Sequence, residues 1–313
     1  MNFYNSSSII HQISHIKHMF TTPILLITFN RADHVRQVLA EVRKIQPSEL
    51  YIAQDGPRID RPDDTTKIQT VRDVIKEMVD WPCNLHTHYS EINLGCGCGP
   101  YEAMSWFFEN VEYGIILEDD IVPHPLFWTY MEELLDRYKD DERIGMVTAH
   151  NLYRYYSKNN SYYFTFEMEG TLGWGTWRRV WKDFDFMIPY DENKLKESLR
   201  YYGMPNLCVE KECRNYKKWL SGSRHDCWDY QWDYYLFVNR YLNVRANSCL
   251  TSHEGDDSDA THTGYSNPGY KMEVDESLFT SLQHPENIKI DQSEKIRYIK
   301  KEIRLLLKKL LHK

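Results

Sequence analysis

The sequence predicts an α/β chain whose first half is a doubly wound, mostly parallel sheet. Three observations predict it. Short β-rich apolar runs alternate with segments whose apolar residues recur at helical spacing. The polar and glycine residues of the first half gather where those apolar runs end. The chain has 313 residues, 42% hydrophobic and 27% charged, enough for one large domain with a smaller appendage.

Residues 1–21 form a polar extension without the apolar core of a signal peptide, and Met19 is a second candidate start beside Met1. Residues 22–150 carry the βα alternation. "TPILLIT" (22–28) reads as a buried parallel strand. "NRADHVRQVLAEVRKI" follows as a helix, with Val35, Val38, Leu39 and Val42 on one stripe. "ELYIAQDG" is the second strand, ending at Asp55-Gly56, and "TTKIQTVRDVIKEMVDW" the second helix. "CNLHTHYS" is the third strand and "NLGCGCG" a glycine-rich turn. "PYEAMSWFFENV" is a helix with Pro100 at its first position. "YGIILEDD" is the fourth strand, "HPLFWTYMEELLDRYKDDERI" the fourth helix and "GMVTAH" a further strand.

Residues 151–285 differ. They are aromatic-rich and irregular, marked by "GTLGWGTWRRVW" and "CWDYQWDYYLFVNRYL", with a polar loop "TSHEGDDSDATHTGYSNPGY". Residues 286–313 hold a basic amphipathic helix. Its Ile296, Ile299, Ile303, Leu306, Leu307 and Leu310 share a face, and Lys and Arg fill the other. Such a helix is expected to lie on an anionic membrane surface; the alternative is packing on the domain or a partner.

Composition narrows the function. A net charge of -8 excludes a general nucleic-acid binder. No run of eighteen apolar residues offers a transmembrane helix. Seven cysteines without a CxxC pair fit a reducing compartment. The thiols of "GCGCG" read as structural, since the partner spacing of a metal site is missing. An aromatic share of 14%, mostly Tyr and Trp, suits a wet cleft or a Tyr-rich surface.

The chemistry centres on Glu118, Asp119 and Asp120. Three adjacent acids at a strand end repel one another unless a cation meets them. They form a solvated turn, a Mg²⁺ or Mn²⁺ site, or an acid/base pair; the strand-end position favours the metal. No GxxxxGK[ST] and no GxGxxG after the first strand is present, which disfavours a P-loop enzyme and a hydride-transfer enzyme.

"ITFNR", "IAQDG", "NLGC" and "GIILEDD", each following a strand in that order, resemble nucleotide-diphospho-sugar glycosyltransferases of the GT-A fold, with the EDD as a variant of their DxD motif. "GWGTW", "WDYQW" and "DATHT" are similar to bacterial family-2-like members, and the likeness extends to the Golgi N-acetylglucosaminyltransferase type. It spans roughly residues 23–263 and divides the domain into a nucleotide-sugar half (22–150) and an acceptor and catalytic half (151–285).

What the resemblance implies falls on particular residues. Thr28, Phe29, Asn30, Arg31, Asp55 and Gly56 would hold the nucleotide, and Asn93 and Gly95 the donor pocket. Asp120 would bind Mn²⁺ or Mg²⁺ directly, with His262 a second candidate ligand, while Glu118 and Asp119 would hydrogen-bond the donor. Trp174 and Trp177 would face an acceptor sugar, and Asp229 would be the catalytic base. Plainer roles stand beside these: the Trp residues as core, Asp229 as a helix N-terminal acid, His262 as an ordinary loop histidine. Asp233, one turn after Asp229, is the competing base. The loop "TSHEGDDSDATHT" is more acidic than the resemblance leads one to expect, which bears on metal affinity and acceptor choice.

The expected protein is therefore a metal-dependent inverting glycosyltransferase, cytoplasmic and peripheral on the inner face of the membrane. It would use a nucleotide-sugar donor, UDP-sugar favoured, and a glycan or lipid-linked glycan acceptor, and bind no nucleic acid. The alternatives are a sugar-phosphate nucleotidyltransferase and a non-catalytic glycan-binding protein. A nucleotidyltransferase usually has a glycine-rich loop with a basic residue after its first strand, and "TFNRADH" lacks the glycines.

Overall fold

Four parallel strands organise the first half: β1 (Ile24–Thr28), β2 (Glu49–Gln54), β3 (Asn84–Tyr89) and β4 (Tyr113–Glu118). The computed structural model describes residues 19–151, 160–168, 170–222, 227–255, 272 and 274–311. β1 lies between β2 and β4, and its Ile24, Leu25 and Leu26 are fully buried. Each such side chain removed from water stabilises the fold by about 2 kcal/mol. The connecting helices are α1 (Ala32–Ile45), α2 (Asp64–Met78) and α3 (Gly95–Asn110). The periodic residues Val35, Val38, Leu39 and Val42 of α1 are all buried.

One helix start differs from expectation. α3 begins within "GCGCG", and Pro100 lies inside it rather than at its first position. Proline has no N–H, so α3 forgoes the bond to the Cys96 carbonyl. The helix nonetheless places Ala103, Met104, Phe107 and Phe108 in the core.

Beyond β4 come a short β5 (Ile121–Pro123), α4 (Pro125–Arg137) and β6 (Ile144–Thr148). His124 caps α4, its Nδ1 accepting from the Leu126 N–H at 3.2 Å. The segment that reads as irregular supplies three further strands of the main sheet, the first two being β7 (Tyr162–Thr165) and β8 (Trp174–Trp177). The sheet is completed by β9 (Leu242–Ala246), giving eight strands in the order β3-β2-β1-β4-β8-β6-β9-β7. β8 is antiparallel to both β4 and β6, and β7 is antiparallel to β9. The sheet is thus mixed but mostly parallel. A separate ribbon pairs β10 (Thr251–His253) with β5.

The remaining helices are α5 (Arg178–Trp181), α6 (Glu192–Tyr201), α7 (Asn206–Gly222), α8 (Asp229–Val238) and α9 (Gln292–Leu311). α8 is buried nearly all round: Gln231, Trp232 and every residue from Tyr234 to Val238 lie inside. Its Trp232 joins the main core, while Tyr234, Phe237 and Val238 join a second apolar cluster with Leu195, Leu199 and Val209 of α6 and α7.

The C-terminal helix α9 packs on a face other than its apolar stripe. Glu294, Tyr298 and Glu302 are buried against the body, whereas Ile296 and Leu307 are half exposed. Cations on the body explain the choice. Arg245 Nη1 lies 3.8 Å from Glu294, and Lys211 pairs with Glu302 and Glu212. Arg297 of α9 itself reaches back to Glu167 at 3.1 Å. Burial with the neighbouring Glu167 pushes Glu294 up to about 8, despite Arg245 and Arg297.

Candidate functional site

At the carboxyl ends of β1, β2 and β4 the sheet opens into a cavity of about 250 Å³. A parallel α/β sheet leaves such a crevice because the chain turns away to its helices there. Thr28, Phe29, Asn30, Arg31, Asp55, Asn93, Gly95, Glu118 and Asp119 all line it. Gly56 stands behind this wall. A Cβ on Gly56 would lie 2.5 Å from the Ile92 backbone, so only glycine permits that approach.

Asp55 ties two loops together. Its carboxylate accepts from the N–H groups of Gly56 (2.8 Å), Leu94 (2.8 Å) and Gly95 (3.0 Å), and from Asn93 Nδ2 (3.0 Å). Burial raises its pKa, and the three backbone donors pull the other way. Asn93 also donates to the Gly56 carbonyl at 2.9 Å. These bonds shape the floor of the cavity.

The acid triplet meets an arginine. Arg31 Nη2 bonds Asp120 Oδ2 at 2.7 Å and also pairs with Asp119, which accepts from the Phe29 N–H at 3.2 Å. His253 Nε2 lies 3.5 Å from Asp120 on its other side. The three acids are electrostatically distinct. Burial pushes Glu118 up to about 8, helped by the charges of Asp120, Asp119 and Asp229. Burial also pushes Asp119 up to about 6, against Arg31. For Asp120 burial is outweighed by His253 and Arg31, which bring it down to about 2. Glu118 therefore holds its proton to higher pH than Asp120 does.

No metal site is shown at this arrangement among the described residues. Among the described residues no group of three or more His, Cys, Asp or Glu is disposed to hold a metal ion. Asp120, the expected ligand, is already engaged by Arg31 and His253. His262 lies outside the described residues.

Four contributors escaped the sequence reading. Asp64, wholly buried, accepts from Arg58 Nε (2.7 Å), Arg58 Nη2 (2.9 Å) and Asn30 Nδ2 (2.7 Å). Arg58 is thereby held 5.1 Å over the Phe29 ring at the cavity wall. Gln54 donates to the Phe29 carbonyl at 2.9 Å and fixes the turn after β1. The fourth is His253, at the end of β10. Nothing in "DGPRIDRPDD" announces the Arg58–Asp64 clamp, since six residues across a turn is no motif. The antiparallel pairing of β10 with β5 brings His253 beside Asp120, and that pairing is invisible in sequence.

The two expected tryptophans sit elsewhere. Trp174 and Trp177 are 1% exposed each. β8 is interior to the sheet, so Trp174 packs on Trp228 and Trp232, and Trp177 donates to the Leu135 carbonyl at 2.9 Å. Neither offers a face to an acceptor sugar. Asp229 opens α8 and accepts from the Cys227 thiol and the Tyr230 N–H. Asp233 accepts from the Tyr216 hydroxyl; burial pushes it up to about 7, against that bond.

No protein-family profile matches the sequence, and no curated protein matches it. Solved structures do. HddC from Yersinia pseudotuberculosis is 9% identical over 52% of this chain and 80% of that one, with a TM-score of 0.32; it was also solved complexed with GMP-PN. The inositol-1-phosphate CTP transferase of T. maritima is 10% identical over 52% of this chain and 73% of that one, TM-score 0.30. The 4-diphosphocytidyl-2C-methyl-D-erythritol synthase of Anaerococcus prevotii is 10% identical over 58% of this chain and 83% of that one, TM-score 0.30. Two of these are named as a CTP transferase and a diphosphocytidyl synthase. On that finding the expected glycosyl transfer is corrected and not retained. At these scores the likeness assigns no substrate to this chain.

Proposed function

We propose that the cavity binds a nucleoside triphosphate and that the protein transfers its nucleotidyl group to a phosphorylated sugar or polyol, releasing pyrophosphate. The observation that carries this reading is the pair of clamped arginines, Arg31 and Arg58, on the wall of a cavity sized for a nucleoside. A triphosphate is an anion that guanidinium groups bind with planar, multiple hydrogen bonds. Arg31 supplies the basic residue after the first strand that such enzymes need, and the absent glycines are the remaining departure.

In this reading Phe29 and the Arg58 guanidinium above it present an aromatic and cationic edge to the base. Asn93 offers an amide, and Glu118, whose carboxyl is raised by burial and its acidic neighbours, offers a hydrogen bond to a ribose or phosphate oxygen. An oxygen of the acceptor's phosphate attacks the α-phosphorus, and the bond to pyrophosphate breaks. Arg31 and Arg58 offset the charge that moves onto the departing pyrophosphate.

The test is direct. Purified protein, given a panel of nucleoside triphosphates and sugar phosphates, should release pyrophosphate only when both substrates are present. Release of nucleoside diphosphate from a nucleotide-sugar, with no pyrophosphate from any pair, would overturn the proposal.

A further inference from the structure

α9 holds the body with its polar side and turns part of its apolar side outward. Glu294, Tyr298 and Glu302 recur at one-turn spacing and are buried. On the far side, Ile296 is 51% exposed and Leu307 53%, with Ile303 half-buried between them. These three share a stripe. Lys300, Arg304 and Lys308, all exposed, form the stripe beside it. Ile299 and Leu306, on the edge nearer the body, are half-buried.

A helix that packs only for stability buries its apolar stripe and leaves its charges in water. α9 does the reverse on the packed side, and there its carboxylates meet Arg245 and Lys211. The outward face then combines apolar side chains with a row of cations on a protein whose net charge is -8. That combination matches a surface that is anionic and apolar just beneath, as a bilayer with acidic headgroups is. An acidic protein surface would satisfy the cations and leave Ile296 and Leu307 in water.

We propose that the outward face of α9, comprising Ile296, Ile303, Leu307, Lys300, Arg304 and Lys308, docks the folded protein on an anionic lipid bilayer. The helix does not detach to bind. Its buried face remains locked to the body, so the cleft is held in a fixed attitude to the membrane. The proposal is independent of the reaction assigned to the cleft.

The experiment is co-sedimentation of the full chain with vesicles of phosphatidylcholine alone or mixed with phosphatidylserine. Binding is expected only to the mixed vesicles and should weaken with salt. Replacing Lys300, Arg304 and Lys308 together by Gln should weaken it roughly 100-fold at low salt. Ile296→Asp with Leu307→Asp should abolish it, with circular dichroism unchanged because both sites are exposed. Failure to bind mixed vesicles, or binding indifferent to both variants, would overturn the proposal. So would a wild-type dimer in analytical ultracentrifugation that Ile296→Asp with Leu307→Asp converts to monomer, since a second copy would then be the occupant.

Discussion

Removing Arg31 tests whether a single guanidinium is what makes the acid triplet tolerable. Its side chain is 20% exposed, and those of Asp119 and Asp120 are 5% and 11% exposed, so the cluster is largely shielded from water. Taking one partner from a buried pair costs roughly 3–5 kcal/mol, because the other charge is left uncompensated. That cost depends on pH here. Glu118 and Asp119 stand at about 8 and about 6, above the 4.5 and 3.8 of ordinary carboxyls. The folded state thus binds more protons than the unfolded one, and stability falls as pH rises through those values. Without Arg31 both pKa values rise further and the fall steepens. At pH 5 both acids are protonated and the loss in Arg31→Ala should be about 1–2 kcal/mol; at pH 8 it should reach about 3–4 kcal/mol. Urea melts at the two pH values measure the difference. A divalent cation at roughly 100 times its dissociation constant should restore about 2.7 kcal/mol to the variant at pH 8. Equal losses at both pH values would refute the reasoning.

Asp64→Asn should cost about 2 kcal/mol in urea melts, since an amide NH2 would face the Arg58 backbone N–H and Nε donors from which the second carboxylate oxygen now accepts. Its pH signature is opposite to that of Glu118: Arg58 holds Asp64 at about 2 against an ordinary 3.8, so its contribution is full above 3.8 and lost as pH falls through 2. The variant should lack that acid-side loss. Arg58→Ala should weaken triphosphate binding about 10-fold or more by calorimetry and also lower stability by about 1–3 kcal/mol, because it leaves the wholly buried Asp64 carboxylate without its guanidinium. Trp174→Ala should lower stability by about 3–5 kcal/mol and leave the KM of the folded fraction unchanged, as expected of a core ring.

The first half was legible because its physics is local. Ile24–Thr28 and Tyr113–Glu118 are apolar runs that only a strand buried on both faces explains, and the amphipathic stripe of Ala32–Ile45 needs no tertiary knowledge. The strand-end residues followed, since parallel strands deliver their ends to one edge. The second half hid three strands of the main sheet, and for β8 the reason is equally physical. "WGTW" is short, aromatic and glycine-bearing, and it becomes a strand only because β4 and β6 leave a gap that it fills. The misplacement of Trp174 and Trp177 follows from that one event. Arg31 was visible as a nucleotide contact but not as the counter-ion of the acids. Its pairing runs across 88 and 89 residues of sequence, where periodicity carries no information.

The loop after β10 supplies the last part of the cluster, and Gly255 is its sensitive point. A Cβ there would stand 2.3 Å from Asp120 Oδ2 and 3.0 Å from His253 Nε2. The backbone has little room to retreat, because the Glu254 N–H bonds the Asp120 carbonyl at 2.9 Å and β10 is paired to β5. The side chain of Asp120 must therefore turn, and it gives up Arg31, His253 or both. Gly255→Ala should lower stability by about 1–3 kcal/mol. It should also move Asp120 from about 2 back toward the ordinary 3.8, against which its present contribution is complete above 3.8 and lost as pH falls toward 2. Stability of the variant should thus fall off less steeply below pH 3.8 than that of the wild type, and carboxylate NMR titration should report the shift at Asp120. An unmoved Asp120 resonance in a folded Gly255→Ala protein would show that the loop does not confine the carboxylate.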